Sequence, residues 1–169
     1  MKYFLVKLAL VSSFLFLSAC SEPGSTDDSE AAVGFVRLDY EDPSRRNWSD
    51  TAARPLVTYV WYPAKSGSKM RTIRVPPDRP IFIGGDAAPE AEFADGDNRY
   101  PLIVMSHGTG GAGMQIMWLG RELAEQGFIA VAVDHHGNTA AEDTYDPRGF
   151  RLPWERARDL TVVTNRILD

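Results

Sequence analysis

The sequence predicts an α/β fold, and the prediction depends on three neighbouring segments. Leu102–Ser106 is an almost wholly apolar strand candidate that breaks abruptly into a glycine-rich turn. Met114–Gln126 then has the apolar spacing of a helix, and Phe128–Val133 is a second apolar strand candidate. Strands that are apolar throughout are typical of a parallel sheet that helices cover on both faces. We therefore expect a parallel strand–helix–strand unit with a right-handed crossover.

Upstream of this unit the residues predict an antiparallel hairpin. Val33–Asp39 has the composition of a first strand, and Pro55–Pro63 alternates as a second strand should. The segment Glu41–Arg54 between them is polar and rich in turn-forming residues. We expect it to be a long connection between the two strands.

Residues 64–100 carry the weakest structural signal in the chain. They are rich in proline, glycine and aspartate, and they contain one short strand candidate, Arg71–Val75. A connection of this length is typical of a binding loop, a lid or disorder.

Two helices have recognisable apolar faces. In Met114–Gln126 the expected inward side chains are Ile116, Leu119 and Leu123, and Gly127 stands where a helix commonly ends. Trp154–Leu168 is the last predicted helix. Its expected inward side chains are Ala157, Leu160, Val163 or Thr164, and Ile167, and its expected outward side chains are Glu155, Arg156, Arg158 and Arg166.

The first residues have the features of an export signal. Lys2 and Lys7 supply positive charge, and the apolar run Leu8–Leu17 is shorter than the roughly 20 residues that span a bilayer. The tetrapeptide Leu17-Ser18-Ala19-Cys20 resembles a bacterial lipobox, which implies that Cys20 is diacylated, as in palmitate-bearing lipoproteins. A plain signal peptide and a membrane-spanning helix are the alternatives.

These features divide the chain into three parts. We expect residues 1–19 to be a lipoprotein signal peptide, residues 20–31 a flexible tether and residues 32–169 the globular domain. The lipid on Cys20 would then hold the domain on a bacterial membrane in the cell envelope, at the periplasmic face or the cell surface.

The charge of the chain excludes one class of partner. The sequence has 23 acidic and 18 basic residues and a formal net charge of −5. The basic residues form no patch of the kind that neutralises phosphates in nucleic-acid-binding proteins. We therefore expect no nucleic-acid partner. Cys20 is the only cysteine, so no disulfide can form within the chain.

The glycine-rich turn Gly108–Gly113 has three interpretations. Such a turn at the carboxyl end of a parallel strand presents backbone N–H groups that can hold a developing oxyanion. Its glycines also fit the pattern G-x-G-x-x-G, and Asp134 follows Gly113 by 21 residues, as in a dinucleotide-binding unit. The export signal and the long segment before the turn argue against dinucleotide binding. The third interpretation is a purely structural turn.

A metal site is an alternative for the segment Asp134–Thr139, which follows the second apolar strand. The candidate ligands are His135, His136 and Asp143. Adjacent side chains on extended backbone point to opposite sides, so two neighbouring imidazoles rarely reach one ion. We therefore expect neither a metal nor a cofactor.

Three segments carry a resemblance to a known family. They are the strand Arg54-Pro-Leu…Val-Trp-Tyr-Pro-Ala64, the turn Ser106-His107-Gly108 and the loop Asp134-His-x-Gly-Asn-Thr139. They resemble the platelet-activating-factor acetylhydrolase and dienelactone-hydrolase branch of the α/β-hydrolase fold. The resemblance implies a partial α/β-hydrolase domain over residues 32–169, in which the antiparallel hairpin leads into the parallel strand–helix–strand unit.

The same resemblance implies roles for the loop residues. The backbone N–H of Thr109 corresponds to an oxyanion-hole donor. His107 is expected to orient the turn, because the catalytic His of these enzymes follows the Ser and the acid in the chain. The residues expected to shape the substrate pocket are His107, Gly108, Gly110, His135, His136 and Asn138.

The nucleophile of such an enzyme is not found in the sequence. No Gly-x-Ser-x-Gly occurs in the 169 residues, and Ser106 lacks the elbow that exposes a nucleophilic hydroxyl. We therefore expect the N-terminal fragment of a lipid-anchored serine hydrolase, truncated before the nucleophile strand and inactive alone, which would act on small-molecule carboxylic esters. The edge of Leu102–Ser106 is a candidate for pairing with another chain. The alternatives are a non-catalytic lipoprotein that serves as a binding or interaction module, and a dinucleotide-binding domain.

Overall fold

The computed structural model describes residues 32–76, 79–94 and 99–169. The predicted signal peptide (1–19), the lipidation candidate Cys20 and the tether (20–31) lie outside the described residues. Within the part of the chain that is described, no helix is long and apolar enough to cross a bilayer.

Across these described ranges the chain forms six strands and three helices. In chain order the strands are β1 (Val33–Arg46), β2 (Ala53–Pro63), β3 (Arg71–Val75), β4 (Phe82–Pro89), β5 (Leu102–Ser106) and β6 (Ile129–Val133). The helices are α1 (Met117–Glu125), α2 (Pro147–Arg151) and α3 (Trp154–Leu168), and a 3-10 turn at Gly113–Ile116 leads into α1. The strands form one sheet in the order β3-β4-β1-β2-β6-β5.

The sheet has the predicted arrangement of its two main parts. β1 and β2 are antiparallel, and β5 and β6 are parallel and joined through α1. The predicted α/β fold class is therefore confirmed. β2 connects the two parts, because it pairs with β6 in the antiparallel direction. Among the described residues, β5 is an edge strand.

The first hairpin is longer than the sequence indicated. β1 and β2 pair in register as far as Asp42 opposite Arg54, and a bulge follows. The prediction of a long connection over Glu41–Arg54 is therefore wrong, since only the turn between Arg46 and Ala53 lies outside the strands. Polar side chains do not mark a loop here, because Asp42 and Arg54 are buried in an ion-pair cluster against α3.

The segment between the hairpin and β5 holds two strands instead of one. β3 has the predicted bounds, and β4 pairs with it antiparallel and with β1 parallel. β4 was not predicted, because its sequence FIGGDAAP is poor in strand-forming residues. Small residues are needed there, since a Cβ on Gly84 would lie 2.3 Å from the sulfur of Met117 in α1. Close packing against α1 therefore accounts for the composition of β4.

Helices cover both faces of the sheet. On one face Met117 of α1 packs with Trp61 of β2, and both side chains are fully buried. On the other face Val163 of α3 packs with Val131 of β6, and both of these are also fully buried. This two-sided burial explains why β5 and β6 are apolar along their length.

The buried face of α1 differs from the predicted one. The residues of α1 that are buried are Met117, Gly120 and Ala124, whereas the predicted Ile116, Leu119 and Leu123 are only partly buried. Gly120 accounts for the difference, because a Cβ there would lie 2.3 Å from Cε3 of Trp61. The indole ring therefore packs directly against the helix backbone.

The predicted face of α3 is correct in its centre and wrong near its start. Val163 is buried and Leu160 and Ile167 are partly buried, as expected, but Ala157 is exposed. Asp159 is instead fully buried in that turn of the helix. The buried charge has partners on β1 and β2, which the helical pattern alone does not reveal.

Candidate active site

The candidate site lies at the carboxyl ends of β5 and β6. The glycine loop, residues 107–112, follows β5, and a second loop follows β6 and binds to it. Gly110 has a φ of +71°, a left-handed conformation that glycine adopts without steric cost. Glycine is therefore required where the loop turns back toward α1.

Three of the six backbone N–H groups of the glycine loop have acceptors within the protein, as does the N–H of Gly113 directly after the loop. The N–H of Gly110 donates to Oδ1 of Asn138 (2.6 Å), and the N–H of Gly111 donates to the carbonyl of Gly108 (2.9 Å). The N–H of Ala112 donates to Oε1 of Gln115 (3.1 Å), and the N–H of Gly113 donates to Oδ1 of Asp134 (2.7 Å). The N–H groups of His107, Gly108 and Thr109 have no acceptor among the described residues, and of these three residues Gly108 and Thr109 are exposed. An unpaired N–H at the end of a parallel strand can donate to an anion.

Asp134 ties the glycine loop to the sheet. Its buried carboxylate accepts hydrogen bonds from the N–H of Gly113 (2.7 Å), the hydroxyl of Thr139 (3.0 Å) and the hydroxyl of Tyr59 (2.9 Å). Burial and the neighbouring Asp134 charge together raise the pKa of the Tyr59 hydroxyl well above its ordinary value. Because both carboxylate oxygens have partners in the protein, Asp134 is not oriented toward a ribose hydroxyl, which argues against dinucleotide binding.

His107 is buried under the glycine loop. Its Nε2 accepts a hydrogen bond from the backbone N–H of His135 at 3.2 Å, and its Nδ1 lies 2.7 Å from the carbonyl of Gly108. Since Nε2 accepts, the ring proton lies on Nδ1 and is donated to Gly108. Burial lowers the pKa of His107, which favours the neutral ring.

Asn138 joins the glycine loop to α2. Its Oδ1 accepts from the N–H of Gly110, and its Nδ2 donates to the carbonyl of Gly149 at 2.8 Å. The side chain is buried, so it supports the loop from inside. Asn138 and Gly110, which were both predicted to shape the substrate pocket, are therefore in contact.

The adjacent histidines His135 and His136 have different surroundings. Nδ1 of His136 lies 2.7 Å from Oε1 of Glu142, and its Nε2 accepts from the N–H of Trp48 at 3.1 Å. His135 points into the interior, where its Nδ1 lies 3.0 Å from Oδ2 of Asp159. The two imidazoles therefore do not converge on one ion. Over residues 32–76, 79–94 and 99–169 no cluster of His, Cys, Asp and Glu is arranged to hold a metal.

An ion-pair cluster that the sequence did not predict lies beneath the loops. Oδ1 and Oδ2 of Asp159 accept from Nε and Nη2 of Arg54 at 2.8 and 3.0 Å, and Arg45 lies 2.7 Å from Oδ1. Burial raises the pKa of Asp159, but hydrogen bonds from His135 and Arg54 and the two nearby guanidinium groups outweigh it and hold the pKa below its ordinary value. The cluster joins the turn end of the β1–β2 hairpin to α3.

Ser106 extends this cluster toward the surface. Its Oγ lies 2.9 Å from Nε2 of His135 and accepts from Nη2 of Arg156 at 2.8 Å. Asp159 can only accept, so Nδ1 of His135 carries the proton and Nε2 accepts from the Ser106 hydroxyl. The contacts are those of a serine–histidine–aspartate series beside the glycine loop.

A cavity of about 500 Å³ opens next to the glycine loop. Ala112 and Gln115 line it from the loop side, Tyr59 lines it from the sheet, and Arg37 and Arg74 also contribute to its wall. None of the six residues that were predicted to shape a substrate pocket lines this cavity. The six are His107, Gly108, Gly110, His135, His136 and Asn138. Of these, His135 has no exposed surface, so it supports the loops from inside the protein.

Sequence comparisons match part of the chain. Residues 81–151 match the family described as platelet-activating factor acetylhydrolase, isoform II. The chain is 45% identical over 47 residues to a platelet-activating factor acetylhydrolase of Cavia porcellus and 35% identical over 68 residues to one of Bos taurus. These matches cover 28% and 38% of this chain, and it spans only 11% and 15% of the two relatives.

A structural comparison covers most of the chain. A ferulic acid esterase from Streptomyces cinnamoneus superposes with a TM-score of 0.65 and 24% sequence identity, over 86% of this chain and 48% of that one. The likeness extends the fold beyond the residues that match in sequence. Together the comparisons confirm that this chain resembles the platelet-activating factor acetylhydrolase branch of the α/β-hydrolase fold.

Proposed function

We propose that this protein is a carboxylic ester hydrolase and that the glycine loop is its oxyanion loop. The observation that carries the proposal is the N–H of Thr109, which has no acceptor among the described residues at the carboxyl end of a parallel strand. Acyl transfer places a negative oxygen where such an N–H can donate to it. The similarity to proteins named as acetylhydrolases and as an esterase supports the same chemistry.

The proposed reaction needs a nucleophile that the Gly-x-Ser-x-Gly motif would supply, and residues 1–169 do not contain that motif. We place the nucleophile on a strand that pairs with the edge of β5. The second donor of an oxyanion hole is the N–H of the residue after the nucleophile, so such a strand would bring it opposite Thr109. The acyl group of a small-molecule ester would pass to the nucleophile and then to water, without a cofactor.

We also propose that the protein acts while attached to a bacterial membrane through lipid on Cys20. The tetrapeptide Leu17-Ser18-Ala19-Cys20 supports this proposal. Stable attachment takes more than one acyl chain, which a diacylated cysteine provides. The proposal places the domain at the periplasmic face or the cell surface.

Ester hydrolysis by the product of the complete coding region tests the proposed activity. We expect it to hydrolyse p-nitrophenyl acetate and butyrate and to react with a fluorophosphonate at a serine outside residues 1–169. Residues 20–169 alone are expected to give neither turnover above background nor labelling. A folded complete product without ester hydrolysis would contradict the proposal and would favour a non-catalytic lipoprotein.

A further inference from the structure

The direction of the Thr109 N–H is set by the carbonyl group in the same peptide plane. The peptide between Gly108 and Thr109 is trans, so its C=O and N–H point to opposite sides. The carbonyl of Gly108 accepts from Nδ1 of His107 at 2.7 Å and from the N–H of Gly111 at 2.9 Å. These two bonds hold the carbonyl toward the inside of the loop and direct the Thr109 N–H away from it.

His107 is itself held by residues outside the glycine loop. The backbone N–H of His135 donates to Nε2 of His107 at 3.2 Å, which leaves the proton of His107 on the nitrogen that faces Gly108. Arg156 of α3 donates to the carbonyl of His107. The shape of the loop therefore depends on the end of β6 and the start of α3.

Asp159 holds the ring of His135. Oδ2 of Asp159 binds Nδ1 of His135 at 3.0 Å, and neither side chain has exposed surface. Arg54 and Arg45 hold the carboxylate from the other side. Without the carboxylate, the His135 ring would lose its acceptor and two guanidinium groups would lose a shared counterion.

We propose that Asp159 and His135 are positioning residues for the oxyanion donor. In this proposal, which rests on the proposed ester hydrolysis, the buried ion pair holds His135, His135 holds His107, and His107 aims the Thr109 N–H at the substrate oxygen. The residue furthest from the reaction is Asp159, which lies 50 positions after Thr109 and on a different element.

Ser106, His135 and Asp159 have the contacts of a catalytic triad, but the burial of His135 favours the positioning role. A general acid–base residue has to reach the substrate atoms that gain or lose a proton. His135 has no exposed surface, and its two ring nitrogens already contact Asp159 and Ser106. The hydroxyl of Ser106 also accepts from Arg156, which occupies one of the lone pairs that a nucleophile needs.

Asp159→Asn in the complete protein, with Glu155→Gln as its matched control, tests the proposal. Glu155 pairs with Arg45 in the same cluster but does not contact His135. For Asp159→Asn we expect kcat and kcat/KM on p-nitrophenyl butyrate to fall together by roughly tenfold or more, the pattern of an interaction lost in the transition state. Glu155→Gln should keep wild-type kinetics.

Long-range ¹H–¹⁵N spectra of the imidazoles give a readout that does not depend on activity. The sequence has three histidines, so each ring can be assigned by substitution. The wild-type protein and Glu155→Gln should have the proton of His107 on Nδ1, whereas Asp159→Asn should give mixed tautomers at His107. Wild-type kcat and an unchanged His107 spectrum in Asp159→Asn would overturn the proposal.

His135→Gln provides a second test if Asp159→Asn does not fold. The substitution removes the imidazole but leaves Asp159 paired with Arg54 and Arg45. We expect the same joint fall in kcat and kcat/KM, and wild-type kinetics would overturn the proposal. Fluorophosphonate labelling of Ser106 would also overturn it, because Ser106 would then be a nucleophile. If no variant and no wild-type protein hydrolyses esters, the proposed function fails, and the His107 spectra still decide whether Asp159 sets the loop.

Discussion

Oδ1 of Asp134 accepts a hydrogen bond from the backbone N–H of Gly113 at 2.7 Å, across 21 positions of the chain. The bond joins the end of β6 to the start of the 3-10 turn before α1. The same two residues suggest a dinucleotide-binding unit in the sequence. In the structure the Asp134 carboxylate accepts from a backbone N–H of the protein itself. The separation of 21 residues between Gly113 and Asp134 is therefore explained by a contact within the strand–helix–strand unit.

Asp134→Asn should destabilise the protein by roughly 2 kcal/mol, as expected for the loss of a hydrogen bond to a buried charged group. An asparagine can still accept from Gly113 and Thr139 through Oδ1, but it presents a donor in place of Oδ2 toward the Tyr59 hydroxyl. Urea unfolding measures the effect. Tyr59→Phe removes one of the donors and leaves the carboxylate, so its expected cost is about 1 kcal/mol.

The same aspartate gives a direct test of the dinucleotide interpretation. We expect calorimetry to detect no binding of NAD or NADP to the wild-type protein, because the carboxylate oxygens of Asp134 already have partners. Micromolar binding that disappears in Asp134→Ala would contradict this expectation and establish a dinucleotide site.

Gly110→Ala should destabilise the glycine loop, whereas Gly108→Ala should have little effect on unfolding. A Cβ on Gly110 meets no atom closer than 3.8 Å, so the cost comes from its φ of +71° and is about 1–2 kcal/mol. A Cβ on Gly108 meets nothing within 4 Å, and its φ lies outside the left-handed region. Chemical denaturation compares the two variants. Equal stability of both would show that the backbone conformation at Gly110 is not the constraint.

The sequence predicts the parts of the fold that follow from local patterns. β5 and α3 have the predicted bounds, because apolar runs and helical spacing are set by burial against the sheet. β4 and the extension of β1 are not predictable in this way. Gly84 in β4 is explained by Met117, a neighbour far along the chain. Asp42 lies in a strand although it is polar, because it pairs with Arg45, whose side chain is only 10% exposed.

The residues of the candidate site are also predictable from the sequence only in part. The glycine loop and the segment that starts at Asp134 stand out in the sequence, because glycines and polar residues follow apolar strands directly. Asp159 and Arg54 do not, since their pairing joins residues 105 positions apart. One signal was available: Asp159 lies one helical turn before Val163 and therefore on the face that packs against the sheet, and a charged residue requires a partner when it is buried. Asp159 could have been identified in that way, but its partners could not.

Cys20→Ala should release the protein from membranes. A diacylated cysteine provides the two chains that stable attachment needs, and alanine cannot be acylated. Fractionation of cells that express the wild-type and variant chains, together with labelling by a palmitate analogue, measures the effect. Cys20→Ala that stays with the membrane fraction as strongly as the wild type would contradict the lipobox interpretation.

Asp159→Asn should have its largest effect on stability near neutral pH, and the difference from the wild type should narrow in acid. The pKa of Asp159 lies below its ordinary value of 3.8 in the folded protein, because the hydrogen bonds from His135 and Arg54 and the charges of Arg54 and Arg45 outweigh burial. Its stabilisation is therefore complete above the unfolded value and is lost as the pH falls through the lower folded value. At pH 7 the substitution breaks a buried ion pair, so we expect a cost of about 3 kcal/mol or more.

Asp146→Asn is the matched control for this pH dependence. A hydrogen bond from Arg148 is the main cause that lowers the pKa of Asp146 to about 2, but this pair lies nearer the surface, with side chains that are 25% and 48% exposed for Asp146 and Arg148. Solvent screening weakens such a pair, and asparagine can still cap the start of α2. Urea unfolding of the three proteins between pH 2.5 and 7 measures the comparison. The prediction would be wrong if Asp146→Asn reduced the pH dependence of the free energy of unfolding more than Asp159→Asn did. The buried cluster around Asp159 would then not be the main source of the loss of stability in acid.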